Sequence, residues 1–70
     1  MIEEYQKRVV EEKIALDEKI KRLTAFINSD KFYALPAIEQ TLLRRQDAAM
    51  AFYSLVLSDR IALFRMKCVK

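Results

Sequence analysis

Apolar residues recur along the first part of the chain at the spacings that place them on one face of an α-helix. These residues are Ile2, Tyr5, Val9, Leu16, Ile20, Leu23 and Ile27. On the opposite face, acidic residues precede basic residues by four positions, as in Glu4–Arg8 and Glu18–Arg22, and such pairs stabilise a helix. Lys13 falls near the apolar face, and we expect its ammonium group to extend to the edge. The pattern predicts a first helix over about residues 2–28.

A short polar segment separates this helix from the next one. The side chains of Asn28, Ser29 and Asp30 compete for backbone hydrogen bonds and favour a turn. Residues 29–35 are therefore predicted to form the connection, with one short helical turn inside it. Pro36 lacks a backbone N–H group and suits the first turn of a new helix. Phe32 is then expected to close the end of a helical hairpin together with Leu35.

The second helix is predicted over about residues 36–66, and it is apolar on more than one side. Its main stripe comprises Leu42, Leu43, Met50, Tyr53, Leu57, Ile61 and Phe64. Four more large apolar residues lie outside that stripe, with alanines between them, namely Phe52, Leu55, Val56 and Leu63. A helix that is apolar all round needs cover on all sides, and one partner helix from the same chain does not provide it.

The missing cover predicts self-association. Complete burial of the four outlying side chains contributes on the order of 6–12 kcal/mol before the entropic cost of association. We therefore expect an all-α protein with two long antiparallel helices, a short helical turn between them, and assembly of these hairpins into a homo-oligomeric helix bundle. A two-fold dimer that forms a four-helix bundle is the simplest assembly, and larger rings of hairpins are the alternative.

The composition excludes the commonest catalytic and metal-binding chemistry. The 70 residues include no histidine and no glycine, which removes the commonest general base, the commonest metal ligand and the glycine-rich phosphate loop. Neighbouring carboxylates such as Glu3–Glu4 and Glu11–Glu12 point in different directions on a helix, so they form neither a catalytic pair nor a metal site. We expect no catalytic residue, no metal and no cofactor, and therefore no enzyme.

Cysteine usage and hydropathy bear on the compartment. Cys68 is the one cysteine, so we expect a free thiol in a reducing cytosol, with a bridge between two copies as the alternative. The apolar run over residues 48–57 is half as long as the ~20 residues that cross a bilayer. The charged start of the chain lacks a signal-peptide pattern. We expect a cytoplasmic protein that makes no membrane contact.

Positive charge is concentrated in the second half of the chain. The net charge is +3; residues 1–35 hold seven acidic and seven basic side chains, whereas residues 36–70 hold three acidic and six basic ones. Arg44 and Arg45 are adjacent, and their side chains point about 100° apart on a helix. They are either a solvated pair or, when repeated by symmetry around an interface, donors that surround an anion.

Three polar residues, Glu39, Gln46 and Arg60, fall on the main stripe of the second helix. In a structural interpretation, Glu39 and Arg60 serve the helix ends and Gln46 fixes the register of the core. In a functional interpretation, Gln46, Tyr53 and Arg60 converge on a ligand in a pocket between helices. The candidate ligand-binding residues are Arg44, Arg45, Gln46, Tyr53 and Arg60.

A frame of residues that covers most of the chain carries a resemblance. It runs Tyr5-Gln6-x-Arg8-Val9-x-x-Glu12-Lys13-x-x-Leu16-x-x-Lys19-Ile20-x-x-Leu23-x-x-Phe26-Ile27, then Phe32-x-x-Leu35, then Glu39-Gln40-x-Leu42-Leu43-x-x-Gln46-x-x-Ala49-Met50-x-x-Tyr53-x-x-Leu57-x-x-Arg60-Ile61. In this frame the chain resembles a family of small, largely uncharacterised phage-encoded proteins first named from a crAss-like phage. The resemblance implies a helical hairpin in the cytosol of an infected bacterium, and it implies no activity.

Two functions are compatible with these observations. The first is a non-enzymatic counter-defence protein whose oligomer sequesters a small anionic host immune signal, such as a cyclic or ADP-ribose-derived nucleotide. The candidate arginines would bind phosphates, and the glutamine and tyrosine would contact the base or ribose. The alternative is an adaptor or inhibitor that binds a host protein through the apolar face around Phe52, Leu55 and Val56. A net charge of +3 without a basic stripe does not favour a nucleic acid as partner.

Overall fold

The computed structural model describes residues 3–69, with side chains described as far as Met66. Within these residues the chain forms three helices and no strand: α1 (Glu4–Ile27), α2 (Asp30–Tyr33) and α3 (Ala37–Val69). The two long helices lie side by side and antiparallel, in a rod of about 53 × 15 × 14 Å. The prediction of an all-helical chain with two long helices is confirmed. Assembly into a homo-oligomer stays a prediction.

Polar side chains set the two ends of α1. The side-chain oxygen Oε1 of Gln6 accepts a hydrogen bond of 2.9 Å from the backbone N–H of Glu3, which satisfies a donor at the helix start. At the other end, Asn28 Nδ2 donates to the carbonyl of Thr24 at 3.0 Å and Ser29 Oγ donates to that of Phe26 at 2.6 Å. These bonds use carbonyls that the end of a helix leaves free.

The contact between α1 and α3 follows a spacing that alternates between three and four residues on both helices. On α1 the buried and half-buried positions of this series are Gln6, Val9, Lys13, Leu16, Ile20, Leu23 and Ile27. On α3 we call the corresponding series the inner seam; it comprises Leu43, Asp47, Met50, Ser54, Leu57, Ile61 and Phe64. Such spacing is typical of an antiparallel coiled coil. Its apolar core is centred on Val9, Leu16 and Leu57.

The prediction of the main stripe of the second helix is wrong at two positions. Leu42 is 53% exposed and Tyr53 is 43% exposed, whereas Asp47 and Ser54 lie at the contact with α1. These polar residues can lie at the contact because side chains of α1 form hydrogen bonds with them. Thr24 Oγ1, for example, donates a hydrogen bond of 3.0 Å to Asp47 Oδ1.

The turn region closes the end of the hairpin, as predicted for Phe32. This residue is fully buried, and its ring makes edge-to-face contacts with Phe26 at 6.2 Å and Tyr33 at 5.3 Å between centroids. Leu35 is half-buried beside it, and Gln40 Nε2 donates a hydrogen bond of 2.8 Å to the Leu35 carbonyl. The aromatic cluster therefore fixes where the chain reverses.

A polar cluster of Lys13, Asp17 and Ser54 joins the two long helices. Lys13 Nζ donates to Asp17 Oδ2 at 2.7 Å and to Ser54 Oγ at 3.0 Å. Ser54 Oγ in turn donates to Asp17 Oδ1 at 2.5 Å. The lysine side chain is thus held between the two helices. The sequence pattern predicts instead that it extends to the edge of the apolar face. Each member of the cluster satisfies the other two.

Replacing Ser54 with alanine is expected to lower the free energy of unfolding by about 0.5–1 kcal/mol, because it removes two interhelical hydrogen bonds and alanine's higher helix propensity offsets part of the loss. Urea denaturation followed by circular dichroism measures the change. Ser58→Ala is the matched control, since Ser58 is an exposed serine on the same helix and its replacement should be neutral or slightly stabilising. Equal effects of the two substitutions would contradict this account.

The same cluster predicts how stability depends on pH. The hydrogen bond from Lys13, followed by that from Ser54, lowers the pKa of Asp17 below its ordinary value of 3.8. A lowered pKa stabilises the fold above the ordinary value, and this contribution is lost as pH falls through the ordinary and then the lowered value. The difference in unfolding free energy between wild type and Asp17→Asn should therefore be constant above about pH 5 and shrink below it. A difference that widens in acid would contradict the assignment.

Candidate functional site

A second seam runs along α3 beside the first. Each of its residues immediately precedes an inner-seam residue, so it lies about 100° around the helix. We call it the outer seam; it comprises Leu42, Gln46, Ala49, Tyr53, Val56, Arg60 and Leu63, all of them exposed. It keeps the same alternation of three and four residues. Three of the candidate ligand-binding residues therefore share one uncovered face of α3 with four apolar residues.

The polar residues of the outer seam recur at every seventh position. Gln46 and Arg60 are exposed and do not lie on the buried stripe, where the sequence pattern had placed them. The amide Nε2 of Gln46 is 3.8 Å from the sulfur of Met50, an inner-seam neighbour. At 1.5 Å of rise per residue, Gln46 and Arg60 are about 21 Å apart along the helix, with Tyr53 between them. A single chain cannot bring both ends of this set to one small molecule.

The two adjacent arginines lie on different sides of the hairpin. Arg45 flanks the outer seam next to Gln46 and is exposed. Arg44 has its guanidinium carbon 4.9 Å from the centre of the Phe32 ring, a cation–π contact that supports the hairpin end. Two residues correspond to about 200° of helix, so Arg44 points away from Gln46. The structure brings Arg45, Gln46, Tyr53 and Arg60 to one side and places Arg44 on the other.

Three basic residues of α1 join this side, and the sequence analysis missed them. In an antiparallel helix pair, the positions that immediately precede the buried ones on each helix lie on the same side of the pair. On α1 these positions include Arg8, Lys19 and Arg22, together with Glu12. The side that carries the outer seam is therefore basic along its α1 edge. Each of these residues directly precedes a buried or half-buried residue of α1. Their place on this side of the hairpin can be recognised only when the buried positions of both helices are known.

The opposite side of the hairpin carries a shallow groove with a volume of about 460 Å³. Val10, Lys13, Ser58, Ile61, Ala62 and Arg65 line it. None of the candidate ligand-binding residues belongs to it, and the ammonium group of Lys13 is already bound to Asp17 and Ser54. The groove therefore lies apart from the outer seam.

Two features are absent from the part of the chain that the structure describes. None of its helices carries an apolar stretch of the length that a membrane crossing needs. No group of three cysteine, aspartate, glutamate or histidine residues is placed to hold a metal ion among the described residues. The polar groups of the outer seam are an amide, a phenol and one guanidinium group, and the guanidinium group of Arg45 lies beside them. Such groups bind anions and bases by hydrogen bonding and stacking.

Comparison with known proteins identifies the family. The chain is 44% identical over 61 residues to an uncharacterized 7.5 kDa protein from the denB–rIIB intergenic region of Enterobacteria phage T4, with 87% of this chain and 95% of the relative covered. This match confirms the resemblance at the level of a small phage protein family. No solved structure matches the chain. The family model described as Sequestin matches residues 3–63, a range that includes α1, α2 and the whole outer seam, and the chain belongs to the Sequestin family.

Proposed function

We propose that this protein is a non-enzymatic phage accessory protein that acts in counter-defence. It binds and sequesters a small anionic, nucleotide-type host immune signal at sites formed between copies of the chain. The observation that carries the proposal is the match to the Sequestin family over residues 3–63, because the family name itself denotes sequestering. The exposed polar residues of α3 supply the chemistry for such a ligand.

Each polar residue of the outer seam, together with Arg45 beside it, has a role suited to a nucleotide. The guanidinium groups of Arg45 and Arg60 donate paired hydrogen bonds to phosphate oxygens. The ring of Tyr53 offers a face on which a base stacks, and the amide of Gln46 donates to or accepts from a base edge or a ribose hydroxyl. All four residues are exposed, so a ligand reaches them without opening the hairpin.

The charge around these residues favours an anion. Arg8, Lys19 and Arg22 lie along the α1 edge of the same side, with Glu12 as the one acidic residue among the equivalent α1 positions. Arg8 also forms an exposed ion pair of 4.0 Å with Glu4. Clustered charge of one sign raises the local concentration of oppositely charged ligands and speeds their association. A protein of this kind holds its ligand unchanged, because it uses binding groups alone.

The test is calorimetry of the purified protein with a panel of cyclic dinucleotides and cyclic ADP-ribose isomers. We expect saturable binding of at least one of them and recovery of the intact nucleotide after heat denaturation of the protein. Arg60→Gln should weaken binding about tenfold or more, since a hydrogen bond to a charged group is lost. Arg65→Gln is the matched control, because this exposed arginine lies on the groove side of the same helix. Absence of saturable binding across the panel would refute the proposal, and a degraded nucleotide would indicate an enzyme.

A second candidate function rests on the exposed apolar residues of α3. Phe52 is 68% exposed and Leu55 is 56% exposed, and large apolar side chains of this kind dock partner proteins. In this alternative the protein is an adaptor or inhibitor of a host protein. It would then be a weak or incomplete oligomer when purified, and a pull-down from infected cells would retain one host protein in a stoichiometric amount. Recovery of a nucleotide with no such protein would favour the first function.

A further inference from the structure

We propose that two copies of the chain pair through their α3 helices in antiparallel orientation, about a two-fold axis beside Phe52. The pairing rests on the surface of α3 and does not depend on the proposed nucleotide. The partner that binds this surface of α3 is a second copy of the chain, as the opposite charges on either side of Phe52 indicate.

The outer seam is built for a second helix. Leu42, Val56 and Leu63 alternate along it with Gln46, Tyr53 and Arg60, at the spacing by which the inner seam contacts α1. Two seams about 100° apart on one helix are close to the right angle between the two neighbours that each helix has in a four-helix bundle. The corresponding positions of α1 are charged at Arg8, Glu12, Lys19 and Arg22, and the remaining ones, Tyr5, Ala15 and Phe26, are too far apart to form a continuous apolar seam. The partner of the outer seam is therefore the outer seam of another copy.

The residues that flank the outer seam show which way the second helix runs. At every seventh position they are Ile38, Arg45, Phe52, Asp59 and Met66. This series is symmetric in character about Phe52, with apolar residues at its ends and opposite charges between. In an antiparallel pair centred at Phe52, Arg45 of each copy lies level with Asp59 of the other, because each is seven residues from the centre. Two ion pairs and three apolar contacts then form along one edge, because Ile38 of each copy meets Met66 of the other and the two Phe52 side chains meet at the axis.

A parallel pairing gives the opposite result. It would place Arg60 beside Arg60 of the second copy within the seam, and it would put the Arg45 and Asp59 side chains of the two copies on opposite edges of the contact, where neither ion pair forms. Like charges that face each other across an interface oppose association. The charge sequence of α3 therefore selects the antiparallel arrangement.

Side-chain size agrees with the same axis. Ala49 lies three residues before Phe52 and Tyr53 lies one after it, so Ala49 of each copy faces the region of Tyr53 of the other. A small residue opposite a large one lets two helices approach closely without a void. From Ile38 to Met66 the contact extends over about 42 Å of helix, which is most of the length of the rod.

The pairing also has a consequence for the ligand, and this consequence rests on the proposed function. Gln46 lies six residues before Phe52 and Arg60 lies eight after it. On one chain they are about 21 Å apart, but across the axis each Gln46 lies close to Arg60 of the other copy. The dimer thus forms two equivalent sites, each with residues from both chains.

Charge reversal tests the direction of the pairing. Sedimentation equilibrium, with reductant present to keep Cys68 reduced, measures the dimer dissociation constant. Arg45→Asp and Asp59→Arg each create two like-charge pairs, so each should raise the dissociation constant on the order of tenfold. The double variant restores opposite charges and should return within about threefold of wild type. Arg65→Asp changes the net charge as Arg45→Asp does, but it lies on the groove side and should have little effect.

Introducing a charge into the outer seam tests whether this face of α3 forms the contact between copies. Val56→Glu places a carboxylate in the outer seam, whereas Leu55→Glu places one on an exposed neighbour outside it. Wild type and Leu55→Glu should sediment at twice the chain mass of 8.3 kDa or a multiple of that dimer. Val56→Glu should sediment as a single chain while its circular dichroism stays helical.

The outcomes separate the pairing from its alternatives. Rescue by the double variant supports the antiparallel pair, whether it is found in a dimer or inside a larger assembly. A wild-type protein that sediments as a single chain at about 100 μM overturns it, as does weakening of both single variants without rescue. These experiments contain no nucleotide, so their failure and a failure to bind nucleotides are distinguishable.

Discussion

Replacing Leu57 with alanine is expected to lower the free energy of unfolding by about 2–5 kcal/mol. Leu57 is fully buried, and it forms the centre of the hairpin core with Val9 and Leu16. Truncation removes buried methyl groups and leaves a cavity that two straight helices cannot close. A domain of this length has about 3.5–10 kcal/mol of stability in total. The variant should therefore lose a large share of its stability and unfold at a clearly lower urea concentration than wild type.

The matched control is Leu55→Ala, on the same helix two residues away. Leu55 lies outside both seams and is exposed, so its truncation should change the unfolding free energy by about 0.5 kcal/mol or less. Urea denaturation of both variants, at equal chain concentration, measures the difference. If Leu55→Ala were as destabilising as Leu57→Ala, the assignment of the inner seam would be incorrect.

The elements of the fold were predictable from local signals. The apolar face of α1, the polar stop at Asn28 and Ser29, and the backbone restriction at Pro36 each act through neighbouring residues. The structure begins α1 at Glu4 and α3 at Ala37, and it continues α3 to Val69, three residues past the predicted end. Burial of Phe32 was also predictable, because a large aromatic residue in a short turn between two apolar helices has one place to pack.

The orientation of α3 was not predictable from its own sequence. Because this helix is apolar on several sides, its composition does not distinguish the inner seam from the outer seam one residue earlier. Asp47 and Ser54 appear unsuitable for a core when α3 is considered alone. Their partners are on α1, where Thr24 bonds to Asp47 and the Lys13–Asp17 pair bonds to Ser54. Interhelical hydrogen bonds therefore set the orientation that hydrophobicity left open.

Only part of the candidate site was predictable, because the sequence of α3 alone does not determine the orientation of this helix. Gln46, Tyr53 and Arg60 share one face because they are seven residues apart, which the sequence shows directly. That this face is uncovered in the single chain depends on the orientation of α3, and the basic residues of α1 depend on how the two helices pair. The contact of Arg44 with Phe32 depends on the path of the turn. Each of these relations joins residues that are distant in sequence.

Replacing Phe32 with alanine is expected to lower the free energy of unfolding by about 3–5 kcal/mol, which is comparable to the stability of the whole domain. The ring of Phe32 is fully buried at the hairpin end, where it contacts the rings of Phe26 and Tyr33 and lies beneath the guanidinium group of Arg44. Its loss removes three contacts from the element that reverses the chain.

Tyr33→Ala is the control for this second core prediction, since Tyr33 is the adjacent aromatic residue and is exposed. Its loss should cost about 1 kcal/mol, which corresponds to one edge-to-face contact. Phe32→Leu should fall between the two, because it keeps most of the buried volume but loses the ring face on which Arg44 lies. Thermal denaturation ranks the three variants. If Phe32→Ala melted within a few degrees of wild type, the hairpin would be held by α1 and α3 alone, and the aromatic cluster would not determine where the chain reverses.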